Sequence, residues 1–223
     1  MRRLFYLLAA GLALPGPRPA LAQTPTPWAL KATPQHLVLS GYWLEAERPH
    51  PHHPRQTLTL APQLYWGLAG HPDVARTPAD PNYGARVRGG GLQLQQRHYL
   101  RPGSPLRGLP TGLYVGYGPQ VQVFRLQVER LGWHEQPGPN DVPYYVLGPQ
   151  RHTEKVLRYG VAAQVGYQWP LGSRALLDVY AGLGVRKSHF WSDFTDSQFR
   201  SGPSDYAHEG WYVPAGFKLG VVL

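Results

Sequence analysis

The chain has 223 residues, a formal net charge of +9, no cysteine, 26 glycines and 24 prolines. Without cysteine it can carry no disulfide, thiolate zinc centre or lipoprotein anchor. Its Gly and Pro content stays below the roughly 25–30% of low-complexity chains, and its 14 tyrosines and 7 tryptophans argue for a chain that folds.

The opening segment has the three parts of a secretory leader: the basic Met1-Arg2-Arg3, an apolar run from Leu4 to Leu14, and Ala20-Leu21-Ala22 before Gln23. That run is too short to cross a bilayer as a helix, which takes about 20 residues. Residues 1–22 are therefore predicted to be cleaved, 23–27 to form a linker carrying Pro25 and Pro27, and 28–223 to form one domain. A positive surplus on an exported chain points to anionic lipid and lipopolysaccharide as partners. Nucleic acid is not expected, because the arginines alternate along the chain instead of forming a patch.

From residue 28 onward the hydrophobic period is two, which a strand satisfies and a helix does not. Strands are predicted at 28–34, 36–47, 57–67, 84–99, 112–134, 156–169, 175–191 and 211–223. In 57–67, Leu58, Leu60, Leu64 and Trp66 oppose Thr57, Thr59, Gln63 and Tyr65, although Pro62 cannot donate to a ladder. Polarity changes phase in two strands: Arg86 and Arg88 are even but Gln93, Gln95 and Arg97 odd, and Gln120 and Gln122 give way to Arg125, Gln127 and Glu129. A bulge, at Gly89–Gly91 in the first case, is expected to return all of them to one face. Later strands alternate plainly: Tyr159, Val161, Val165, Tyr167 and Trp169 against Arg158, Gln164 and Gln168, then Leu177, Val179, Leu183 and Val185 against Asp178 and Arg186.

Short links at 48–56, 100–111 and 170–174 alternate with long ones at 68–83, 135–155 and 192–210, the arrangement of barrels with short periplasmic turns and longer outer loops. The polar face is mostly Gly, Ala and Gln with isolated charges, which suits a filled lumen better than a water-bathed exterior. The prediction is an all-β fold, an eight-stranded antiparallel up-and-down transmembrane β-barrel. A soluble lipocalin-like barrel, with the apolar face inward, is the alternative.

The closing segment Gly216-Phe217-Lys218-Leu219-Gly220-Val221, with Leu223 last, resembles the C-terminal targeting signal of Gram-negative outer-membrane proteins, with Leu where Phe is commonest. Together with "ALLDVYAGLGVRKS" and "LRYGVAAQVGYQW", the chain is similar to small outer-membrane barrels of the OmpA/OmpX shape. The resemblance implies insertion by the barrel-assembly machinery, which would read Gly216, Phe217, Leu219, Val221 and Leu223, and a monomer in the outer membrane.

Twelve charged residues are placed in the lumen: Lys31, Glu45, Glu47, Arg86, Arg88, Arg97, Arg125, Glu129, Arg158, Asp178, Arg186 and Lys218. In so narrow a barrel they are expected to pair and plug it. The expected role is structural or surface-interacting, with Trp133, Tyr144, Tyr145, Trp191, Phe194 and Phe199 in the outer loops, and not that of a general pore. "HPHHP" (His50–Pro54) is read as a solvated turn, so neither metal nor cofactor is expected. A lipid A or phospholipid modifying enzyme is the other alternative, but Ser188 and His189 are adjacent on a strand and point to opposite faces.

Overall fold

The computed structural model describes residues 26–69, 85–138, 142–192 and 205–223. The predicted leader and the first linker residues lie outside them, as do Phe194 and Phe199. The period-two segments form nine strands: β1 (Ala29–Ala32), β2 (Gly41–His50), β3 (His53–Leu68), β4 (Arg86–Pro102), β5 (Gly112–Pro137), β6 (Pro143–Leu171), β7 (Ala175–Ser192), β8 (Gly210–Tyr212) and β9 (Ala215–Val222). β1 to β7 pair antiparallel in sequence order. The ring closes where β1 meets β9, from Ala29↔Val222 to Ala32↔Leu219. β8 and β9 lie end to end along β7, with Gly184↔Tyr212 and Ala181↔Ala215, so nine strands make eight staves. Closure leaves the sheet without a free lateral edge along these ladders.

Apolar side chains face out and polar ones in. Leu58, Leu60, Leu64, Val121, Val161, Val165, Val179, Leu183, Leu219 and Val221 are exposed, whereas Glu45, Glu47, Arg97, Gln122, Gln164 and Asp178 are buried. This is the reverse of a water-soluble barrel, and it corrects the lipocalin-like alternative.

Prolines are absorbed locally. The β2–β3 ladder breaks opposite Pro62, running from Gly41↔Tyr65 to Trp43↔Gln63 and resuming at Ala46↔Leu60. In β5, Pro119 falls between Gln93↔Gln120 and Gln96↔Tyr117. Neither ring can donate to the neighbouring strand. Beside Pro119 the backbones come so close that a Cβ on Gly118 would overlap the Leu94 carbonyl oxygen.

Three expectations are corrected. The first predicted strand, 28–34, is cut to four residues, and a 3-10 helix over Pro34–Leu39 precedes β2. Proline fits a first helical turn, where no ladder donor is needed. The helix closes against Ser40, which is left-handed at φ 53 and whose N–H donates to the Leu37 carbonyl at 3.0 Å. The predicted 135–155 loop is instead the far end of a hairpin, since β5 and β6 stay in register from Gly112↔Gln168 to Pro137↔Pro143.

The third correction concerns phase. The β3–β4 ladder is unbroken from Gln56↔His98 to Leu68↔Arg86, so no bulge sits at Gly89–Gly91. The strands keep one phase while polarity inverts along them: inward positions change from Gln93 and Gln122 to Val87, Phe124, Leu126 and Val128. Beyond the apolar belt the outside meets water and the inside becomes an ordinary core.

Gly118→Val is expected to strain the β4–β5 approach and to destabilise the barrel by about 1–3 kcal/mol, measured as a lowered urea midpoint in detergent micelles.

Candidate functional site

The lower lumen gathers residues from five strands into one charged cluster. Arg97 of β4 reaches Glu45 at 2.7 Å, Glu47 at 3.1 Å and Asp178 at 2.9 Å. Lys31 of β1 lies 3.0 Å from Asp178 and 3.5 Å from Glu45, and also pairs with Glu47. Lys218 of β9 pairs with Glu45. Three cations thus meet three carboxylates with no net charge, all but shut off from water.

Neutral donors satisfy the remaining carboxylate lone pairs. Tyr99 and Thr57 donate to Glu47 at 2.9 and 2.5 Å, and Tyr114 donates to Asp178 at 2.7 Å. Lys31 also donates to Gln168 at 2.5 Å. The Arg97 guanidinium stacks over the Tyr114 ring, 4.7 Å from its centroid. Buried charges are tolerable only when paired and hydrogen-bonded in this way.

Above the cluster lies a layer of amides. Gln122 donates to Gln63 at 2.6 Å and Tyr65 at 2.8 Å, and Gln164 donates to Gln95 at 3.0 Å. Arg158 enters this layer, donating to the Gln122 side chain at 2.7 Å and the Asp205 carbonyl at 3.0 Å. Arg186 faces inward over the Tyr212 ring at 4.7 Å.

Both ends of the lumen carry apolar packing. At the lower end, Leu109 from the β4–β5 turn joins Ala29, Leu176 and Val222, with Gln168 donating to the Pro110 carbonyl at 3.0 Å. At the upper end, Tyr206 and Ala207 pack with Tyr65, Val87, Phe124, Leu126 and Val156. Tyr206 also donates to the Leu39 carbonyl at 2.9 Å. In the same loop, burial and then the neighbouring Arg186 hold the His208 imidazole below its ordinary pKa.

Of the residues predicted for the lumen, Glu45, Glu47, Asp178 and Lys218 therefore meet in one cluster with Lys31 and Arg97, while Arg158 and Arg186 lie a layer higher. Arg86, Arg88, Arg125 and Glu129 are on the outside, correcting their lumen assignment. Arg88 covers Trp66 at 4.6 Å, and Glu129 sits 3.7 Å from Arg151 with both side chains largely exposed. They were misplaced because polarity stood in for orientation where the pattern inverts. Tyr99 shares the inward phase of Arg97 along β4, Tyr114 that of Gln122 along β5 and Gln168 that of Arg158 and Gln164 along β6, a signal present in the sequence. The stoppers Leu109 and Tyr206 come from links without periodicity.

Other candidates separate. Ser188 faces inward and donates to the His208 carbonyl at 3.1 Å, whereas His189 stacks on Tyr159 on the outside. His50, His52 and His53 cluster at the β2–β3 turn, with the His50 and His53 rings 4.8 Å apart. Among the described residues, no group of three or more His, Asp or Glu side chains is arranged to hold a metal ion.

A closed eight-stave sheet, an outward apolar belt and an inward charged cluster define a transmembrane β-barrel of the up-and-down kind. No protein-family model matches the chain, and no curated protein matches it. Among solved structures it is similar to Acinetobacter baumannii CarO, with 11% identity and a TM-score of 0.40 over 90% of this chain and 97% of that one. It is also similar to Acinetobacter baumannii CarO2, at 12% and 0.35 over 89% and 96%. The N-terminal β-barrel domain of Pseudomonas aeruginosa OprF gives 10% and 0.32 over 89% and 98%. These likenesses assign no role to any residue of this chain.

Asp178→Ala removes one of the three carboxylates that Arg97 and Lys31 share, leaving the buried cluster with three cations against two anions, and is expected to cost about 3–5 kcal/mol in urea unfolding. Glu129→Ala, at the exposed pair, is expected to change stability by less than about 1 kcal/mol.

Proposed function

We propose that the chain is a small outer-membrane barrel with a plugged lumen, structural or surface-interacting in role, and not a general pore. The observation that carries this reading is the buried cluster of Lys31, Glu45, Glu47, Arg97, Asp178 and Lys218, set between apolar packing at both ends of the lumen. An ion passing through would have to part charges that hold one another without water. In planar bilayers the chain is expected to give no steady conductance steps; large, well-resolved openings would overturn the plug.

The outer face favours lipopolysaccharide or other anionic lipid as its surroundings. Arg88 pairs across strands with Arg125, and Arg125 with Lys155, so three outward cations form a row directly above the apolar belt. Like charges directly opposite one another are unfavourable without an anion between them, and headgroup phosphates would supply it. Replacing all three by Gln is expected to weaken retention of lipopolysaccharide through purification severalfold while leaving the urea midpoint nearly unchanged. Equal retention would remove this support.

In β9, Phe217, Leu219 and Val221 point outward, Leu223 just past its end is exposed, and Gly216 leaves room for Gln35 of the 3-10 helix. We assign this strand to recognition by the barrel-assembly machinery. The far end of the β5–β6 hairpin exposes Trp133, Tyr144 and Tyr145, and is the surface we assign to contacts outside the membrane.

A further inference from the structure

The short turns at the lower end of the barrel carry charge of one sign. Arg48 and Arg55 flank the β2–β3 turn, Arg101 and Arg107 lie at the β4–β5 turn and Arg174 in the β6–β7 turn, and all of them are exposed. Among the described residues the carboxylate side chains at this end are Glu45, Glu47 and Asp178, each already paired inside the lumen. Glu129, Glu135, Glu154, Asp205 and Glu209 stand at the opposite end. The sequence before Glu45 contains no Asp or Glu, so the segment leading into β1 brings no counter-charge. The α-carboxylate of Leu223, whose N–H donates to the Trp28 carbonyl at 2.8 Å, offsets a single arginine and leaves the rim positive.

The apolar belt sets the depth of these charges. Trp28, Tyr167 and Trp169 are exposed at its lower border, Tyr167 and Trp169 with ring centroids 4.3 Å apart, where an aromatic girdle meets lipid headgroups. Arg48 lies over the Trp28 ring at 5.5 Å, which holds its charge at that same level. The other arginines follow in the turns into which the belt strands run.

We infer that this rim binds the headgroup phosphates of anionic phospholipid in the leaflet on the turn side, opposite the leaflet faced by the row of Arg88, Arg125 and Lys155. Every short turn contributes at least one charge, so the surplus is spread around the circumference. That distribution suits lipids surrounding the barrel better than a partner seated on one side. All the cations are arginine, whose planar fork meets two phosphate oxygens at once. The inference rests on the transmembrane reading of the outer face. It goes beyond the proposed plug and the upper row, because the leaflet, the lipid class and the residues are all different.

The test uses the full barrel in nanodiscs of phosphatidylcholine doped with a diazirine-bearing phospholipid, the label near the glycerol end of one acyl chain and the headgroup either phosphatidylglycerol or phosphatidylcholine. Adducts are mapped by mass spectrometry after illumination. At Trp28, Leu100, Trp169 and Leu171 the phosphatidylglycerol probe is expected to give about fivefold more adduct than the phosphatidylcholine probe, the preference that one cation near an anionic surface confers. That preference should collapse at about 1 M salt, where the Debye length is roughly 3 Å. Replacing Arg48, Arg55, Arg101, Arg107 and Arg174 together by Gln should abolish it there, while adducts at Leu64 and Trp66 on the upper border and the urea midpoint stay unchanged. The matching Lys variant should keep most of it. Equal yields from the two probes, or a preference that survives salt or the Gln replacements, overturn the inference alone. Co-sedimentation with purified cell-wall sacculi that the Gln variant loses, without any lipid preference, overturns it in favour of a wall polymer. Failure to enter nanodiscs overturns the transmembrane reading and this inference with it.

Discussion

Arg97 is the point at which the barrel is tied across its own diameter. Its guanidinium meets carboxylates from β2 and β7, strands that share no ladder, and the tie is duplicated by Lys31. Neither a backbone ladder nor apolar contact can do this, because ladders join only neighbours and the apolar face is turned outward. The lumen must therefore hold itself together with polar groups, and buried charge is tolerated because every cation of the cluster meets a carboxylate at short range, although the Arg97 Nε has no hydrogen-bond partner among the described residues. The amide layer continues the principle upward with neutral groups, where Gln side chains donate and accept at once.

The same strands then obey the opposite rule. Above the level of Trp66 and Arg88, β3 to β6 leave the apolar belt, and what had been the polar side becomes a packed core of Val87, Phe124, Leu126, Val128 and Val156. Two solvents act on one strand, lipid below and water above, and its residues change character at the boundary while the backbone continues undisturbed. Tyr206 and Ala207 complete this upper core, so the residues just before β8 are held by burial and by the Tyr206 hydrogen bond to the Leu39 carbonyl of the 3-10 helix.

Much of this was legible in the sequence. Period two identified the staves, and the scarcity of charge on the polar face indicated that it was interior. The pairings were not legible: Glu45 and Lys218 stand 173 positions apart and meet only because the ring closes. Arg86, Arg88, Arg125 and Glu129 were assigned by polarity, which tracks orientation only while the surroundings stay constant along the strand. Pro34 was a visible warning about the first stave, but replacement of half a strand by a 3-10 helix depends on the gap between β2 and β9. That gap is a property of the closed ring.

The length of β5 and β6 has a mechanical consequence. A strand needs only about 9–11 residues to cross a bilayer, yet these two have 26 and 29 and remain paired residue for residue to Pro137↔Pro143. From Arg125 to Pro137 the ladder adds about 40 Å of contour at roughly 3.3 Å per residue, reduced in height by whatever tilt the strands keep. A ladder carries bending load across two backbones where a loop carries none. The hairpin is a paired ribbon that carries Trp133, Tyr144 and Tyr145 well beyond the pairings to β4 and β7.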